Sequence, residues 1–124
     1  MLNAHISHQI YAKLSFEATK NQKKIIEKLA AWISDDDFSR IFLLNGYAGT
    51  GKTTIIAAFV AALKELGVSP ILLAPTGRAA KVLSRYAKQD AFTIHKRIYR
   101  ERTTGGYESK FSLDYNRERG AVFI

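Results

Sequence analysis

The 124-residue sequence contains no cysteine. That excludes a disulfide framework and any thiolate metal site. No apolar run approaches the roughly 20 residues needed to cross a bilayer. The opening stretch MLNAHISHQIY lacks the basic-then-apolar order of a signal peptide. There is no internal repeat and no low-complexity tract. Acidic residues are few, 11 against 19 basic ones, for a net charge of +8. These absences describe one soluble domain with no membrane association, expected in the cytoplasm. Apolar residues make up 47% of the chain, enough to build a core and too many for a disordered polymer.

The positive charge is unevenly spread. Residues 1–45 carry six Lys/Arg and five Asp/Glu, and residues 46–75 carry two and one. Residues 76–124 carry eleven and five, so most of the excess lies there. Two readings are open at this point. A basic half fits a polyanionic partner, and it also fits a solvated, solubilising surface.

Hydrophobic spacing outlines the elements. Residues 1–15 show no clear period and read as an N-terminal arm or a short helix. In FEATKNQKKIIEKLAAWI, Ile25, Leu29 and Ile33 are four apart and Ile26 and Ala30 repeat the step, which predicts an amphipathic helix. Thr19 and Gln22 have the spacing of a capping box. Asp35-Asp36-Asp37 ends that helix. Arg40 to Asn45 reads as a short buried strand, apolar without alternation. Thr53 to Leu66 reads as a helix with Gly67 as its cap. Pro70 leads into a second buried strand, Ile71 to Ala74. Pro75-Thr76-Gly77 is a turn, and Arg78 to Ala87 another helix. Strand, helix, strand, helix implies an α/β fold with a parallel sheet. Residues 98–115 fit a β-hairpin turning at Gly105-Gly106. Ala121 to Ile124 is a third buried-strand pattern.

The chemistry concentrates in GYAGTGKTT, residues 46–54. Gly46-Tyr47-Ala48-Gly49-Thr50-Gly51-Lys52-Thr53 matches the phosphate-loop pattern G-x-x-x-x-G-K-S/T. Glycines permit positive φ and bring backbone N–H groups close to phosphates. The helix that follows aims its N-terminal partial positive charge at the same anion. Lys52 is placed to reach the β- and γ-phosphates of ATP, and Thr53 to bind Mg²⁺ through its hydroxyl. Thr54 continues the first helical turn. These residues are the candidate nucleotide site, with Lys52 and Thr53 as the catalytic candidates.

A second motif, Leu73-Ala74-Pro75-Thr76-Gly77-Arg78-Ala79-Ala80-Lys81, follows the second strand, and Phe92-Thr93-Ile94-His95 comes later. Together with LLNGYAGTGKTT they resemble superfamily 1 DNA helicases of the RecD-like and Dda-like group, over about Phe16 to Ile124. The resemblance implies the N-terminal part of a RecA-like P-loop NTPase domain, a three-layer parallel sheet with flanking helices, incomplete here. It implies an ATP-dependent helicase moving along single-stranded DNA, 5′ to 3′. It places Gln22 where the family's glutamine reads the adenine edge, although the capping box offers the same residue a structural role. It places Thr76, Gly77, Arg78, Thr93 and His95 on the DNA strand. Lys81 has a weaker claim, an exposed helix charge is the less favoured reading of Arg78, and a lone His95 reads otherwise as a structural hydrogen-bonder. His5 and His8 have only that bland reading. The 98–115 hairpin lies where related helicases carry a pin, with Tyr99, Tyr107 and Phe111 for stacking and Arg100, Arg102 and Lys110 for phosphates; any half-exposed hairpin shows the same alternation.

The family's magnesium-binding Asp-Glu pair directly follows an apolar strand, and the sequence stops on such a strand, AVFI. The expectation is therefore a piece of a longer chain, able to bind nucleotide without turning it over at a helicase rate. Its sheet is expected to lack a neighbour beside Ile41–Leu44. Competing functions are a non-helicase P-loop ATPase or nucleotide kinase, and a non-enzymatic nucleic-acid binder. The first has no need of APTGRAAK, and the second leaves the glycine loop unexplained.

Overall fold

A computed structural model describes residues 2–47, 49, 51–103 and 109–124, with backbone alone for residues 100–103, 109 and 110. Two compact units divide the chain, Met1–Leu66 and Gly67–Ile124.

The first unit is built from three helices, α1 (Leu2–Ala12), α2 (Lys20–Ile33) and α3 (Lys52–Glu65). Helix α1 packs against both α2 and α3. It does so through Ile6 and Ile10, four residues apart and both buried. Helix α2 buries Ile26, Leu29 and Ala30. Helix α3 buries Ile55, Ala58, Phe59, Ala62 and Leu63, the spacing of one helical stripe, and Val60 beside it. Each large aliphatic side chain taken out of water contributes about 1.5–3 kcal/mol.

Polar side chains fix the ends. Thr19 Oγ1 accepts from the Gln22 N–H at 3.2 Å, and Gln22 Oε1 accepts from the Thr19 N–H at 2.9 Å. The expected capping box is therefore complete. Ser34 Oγ donates to Ala30 O at 2.6 Å and closes the other end of α2. The Tyr11 hydroxyl donates to Glu27 Oε1 at 3.1 Å, and burial, aided by that carboxylate, raises its pKa. Lys13 pairs with Glu65, tying the residue after α1 to the end of α3.

One expectation fails in this unit. Arg40–Asn45 is not a strand; residues 40–47 run without regular structure. Ile41 is 89% and Leu43 78% exposed. Phe42 turns the other way and packs edge-on against Trp32, ring centres 6.0 Å apart. A strand exists only through a ladder with a neighbour, and no described residue of this unit is in a strand.

The second unit holds the sheet. Strand β1 (Pro70–Ala74) is central, with β2 (Ala91–Thr93) and β5 (Val122–Phe123) parallel on either side, in the order β2-β1-β5. Leu72 lies opposite Ala91 and Ala74 opposite Thr93; Ile71 lies opposite Phe123. Pro70 is the first strand residue, where its missing N–H is tolerated. Ile71, Leu72 and Ala74 are buried, as a strand covered on both faces requires. Helix α4 (Gly77–Ala87) packs on β1 and β2. Short helix α5 (Ile94–Ile98) leads into an antiparallel hairpin, β3 (Tyr99–Thr103) and β4 (Ser109–Leu113). The hairpin is as expected, with Thr103 opposite Ser109; the Gly105-Gly106 turn lies outside the described residues. Strand β2 and helix α5 were not anticipated.

Two substitutions test this account of the ends of α2 and α3. Thr19→Ala removes one of the two capping-box bonds and is expected to lower unfolding free energy by about 1 kcal/mol. Gly67, just past α3, has φ +75°. Gly67→Ala forces a β-carbon into the left-handed region and should cost about 1–2 kcal/mol. Urea midpoints read both, and unchanged midpoints overturn the assignments.

Candidate functional site

The loop between Gly46 and α3 has the geometry that its residue types require. Gly49 has φ +80° and Gly51 φ +82°, conformations that side chains resist. Gly51 is also the N-cap of α3, and no side chain caps this helix. Lys52, Thr53 and Thr54 occupy the first turn, so their N–H groups have no i−4 carbonyl within the helix to bond. An anion at that end meets backbone donors and the positive end of the helix dipole together.

Lys52 supplies the mobile charge. Its Nζ donates to Tyr47 O at 2.7 Å and to Gly46 O. The ammonium therefore lies within the loop, on neutral acceptors that a phosphate oxygen outcompetes. Thr53 is exposed on the first turn. Ala48 and Thr50 lie outside the described residues.

Gln22 belongs to the capping box and is 7% exposed. Its Nε2 also reaches the loop. A β-carbon built on Gly51 would lie 2.6 Å from that nitrogen. Gly51 is thus constrained twice, by its φ and by the carboxamide against it.

The donor set fits a nucleoside triphosphate: free helix N–H groups, two left-handed glycines and one ammonium. For Mg²⁺ the motif offers the Thr53 hydroxyl and, among the described residues of the loop, no carboxylate, so most of the ion's ligands would be phosphate oxygens and water. Among the described residues no group of three or more His, Cys, Asp or Glu could hold a metal.

The strand-contact candidates fall in the second unit. Thr76 caps α4, its Oγ1 accepting from the Ala79 N–H at 3.1 Å. Thr93 caps α5 in the same way, accepting from the Lys96 N–H at 3.2 Å. Both hydroxyls keep a proton to donate. Gly77 and Thr93 border a hollow of about 580 Å³ that Lys81, Arg85 and Lys96 line with charge, opposed by Asp90. Arg78 lies on an adjoining hollow with Lys81 and Arg85.

His95 is not in that hollow. Its ring packs against Tyr99 at 5.0 Å and edge-on against Phe111 at 4.5 Å, joining α5 to the base of the hairpin. Sequence reading gave Arg85 and Lys96 no role. The signal was available in spacing, since Arg85 is one helical turn beyond Lys81 and Lys96 lies three residues beyond the capping Thr93. Arg97 is engaged elsewhere, its guanidinium 5.3 Å over Phe92 and 2.6 Å from Glu118. Of the pin candidates, Tyr99 and Phe111 are exposed; Tyr107 and the side chains of Arg100, Arg102 and Lys110 lie outside the described residues.

A profile described as an AAA domain matches residues 17–121. The ATP-dependent DNA helicase dda of Enterobacteria phage T4 is 47% identical over 53 residues, 42% of this chain and 12% of that protein. The ATP-dependent RecD2 DNA helicase of Deinococcus radiodurans is 34% identical over 77 residues, 62% of this chain and 11% of that protein. An uncharacterized protein of Methanocaldococcus jannaschii is 42% identical over 67 residues, 51% of this chain and 6% of its own length. The matches thus span about an eighth or less of these relatives. No solved structure matches. Among the described residues no helix is long and apolar enough to cross a membrane. With its phosphate loop, its small parallel sheet and a profile match over most of its length, the chain belongs to the AAA-domain family, in the RecD-like and Dda-like group of superfamily 1 helicases.

Proposed function

We propose that this chain is the ATP-binding part of an ATP-dependent DNA helicase that moves along single-stranded DNA, 5′ to 3′. It serves recombination, repair or mobile-element transfer in the cytoplasm, as part of a longer chain. One observation carries the reading. Helices α2, α4 and α5 are each capped by a threonine side chain, whereas α3, behind the glycine loop, begins on a bare glycine. A helix end left uncapped beside two left-handed glycines and a lysine is suited to a polyphosphate.

Each residue then has a task. The loop from Gly46 to Gly51 wraps the phosphates of ATP with backbone N–H groups. The N–H groups of Lys52, Thr53 and Thr54 serve the same anion from the helix end. Lys52 transfers its ammonium from the carbonyls of Gly46 and Tyr47 to the β- and γ-phosphates. Thr53 holds Mg²⁺ with its hydroxyl. Gln22 borders the loop at Gly51. Bound Mg-ATP supplies the anhydride whose cleavage drives movement.

The hollow beside α4 suits the DNA backbone. Lys81, Arg85 and Lys96 provide charge there, and Arg78 extends it. Thr76, Gly77 and Thr93 lie at the helix starts, where hydroxyls and N–H groups contact phosphates. His95, Tyr99 and Phe111 form an aromatic step on which bases can stack. A nucleotide kinase would share the phosphate loop, but it has no use for a cation-lined hollow on a separate helix.

Lys52→Ala removes a charged donor and is expected to weaken ATP binding about tenfold or more. It should leave the affinity for single-stranded DNA unchanged. Equal loss of both ligands would overturn the separation of the sites. Arg78→Ala is expected to weaken DNA binding across sequences and to reduce the salt slope of binding by about one. Fluorescence anisotropy of labelled single strands at two or more salt concentrations reads this; an unchanged slope removes Arg78 from the interface.

A further inference from the structure

We infer that Gln22 is a positioning residue for the phosphate loop, acting on Gly51 whatever base the nucleotide carries. The inference rests on the proposed nucleotide site and adds a role for one side chain. Two observations meet at this carboxamide. Its Oε1 is held by the Thr19 N–H at 2.9 Å, so the group cannot rotate freely. Its Nε2 lies 2.6 Å from where a β-carbon on Gly51 would stand, and among the described residues it donates no hydrogen bond. The residue is 7% exposed. Its amide is thus packed against the residue whose left-handed φ sets the direction of the first N–H groups of α3.

The consequence follows from the capping box. A carboxamide locked at one end and pressed on Gly51 at the other ties the start of α2 to the start of α3. It limits how far the loop can close when no anion is in it. Oε1 keeps a second lone pair beside the Thr19 N–H, so reading a base edge and holding the loop are separate roles for this side chain, which the test tells apart. The holding role concerns the phosphates alone, so it extends to a ligand that has no base.

The test compares inorganic tripolyphosphate, ATP and GTP by isothermal titration calorimetry on the whole chain. Gln22→Ala is expected to weaken all three by one common factor, about fivefold or more, with the ATP-to-GTP ratio unchanged. Gln22→Asn, which keeps an amide but withdraws it from Gly51, should give the same uniform loss if the alanine variant does not fold. Thr19→Ala keeps the bond from the Thr19 N–H to Gln22 Oε1 while weakening the helix cap. It should lower stability yet leave tripolyphosphate affinity within about twofold. Loss confined to ATP would make Gln22 a base reader and overturn the inference. Unchanged affinities in both Gln22 variants, or an equal loss in Thr19→Ala, would reduce it to a helix cap and overturn it as well. A wild-type chain that binds none of the three overturns the nucleotide site itself, a result distinct from the others.

Discussion

The bare N-terminus of α3 is the constraint on which the rest of the chain's chemistry depends. A helix start carries unpaired N–H donors, and proteins ordinarily satisfy them with a side chain. This chain does so at Thr19, Thr76 and Thr93. At Gly51 it does not. A serine or threonine at that position would satisfy a first-turn N–H, but its β-carbon would meet the Gln22 amide and a φ of +82°. The anion site thus follows from backbone geometry more than from any one side chain. Lys52 complements it by occupying loop carbonyls of Gly46 and Tyr47, which keeps a positive charge inside the loop.

Much of this was legible in the sequence where the signal is local. The 3.6-residue period located α2, and helix-favouring composition bounded by turn residues located α3 and α4, each to within a residue or two. Thr19 and Gln22 announced the capping box through their spacing alone. The hairpin was legible from its alternation. What failed is non-local. Ile41–Leu44 has the composition of a buried strand, yet a ladder needs a partner, and composition cannot say whether one is at hand. In the structure Phe42 packs on Trp32 while Ile41 and Leu43 are exposed. Strand β2 and helix α5 were missed because three and five residues are too few for a period to register.

The basic half of the chain shows the same division between local and spatial information. Composition located the charge excess after residue 75 without distinguishing its uses. The structure separates two of them. Lys81, Arg85 and Lys96 converge on one hollow, with a single carboxylate, Asp90, among them. Arg97 instead pairs with Glu118 and covers Phe92, so its charge is already compensated and its stem serves packing. Net charge counts these residues equally; a polyanion would not.

His95 illustrates why residue type alone is a weak guide to role. A family motif puts it on the DNA strand, and a lone histidine more often makes a structural contact. In the structure it packs between Tyr99 and Phe111, two exposed aromatic rings at the foot of the hairpin. That position reconciles the two roles physically. Ring-to-ring contacts hold the imidazole and the two aromatics in one fixed arrangement, and fixed aromatic faces cost little entropy when a base stacks on them. A histidine can therefore order neighbouring aromatic faces without itself contacting a phosphate.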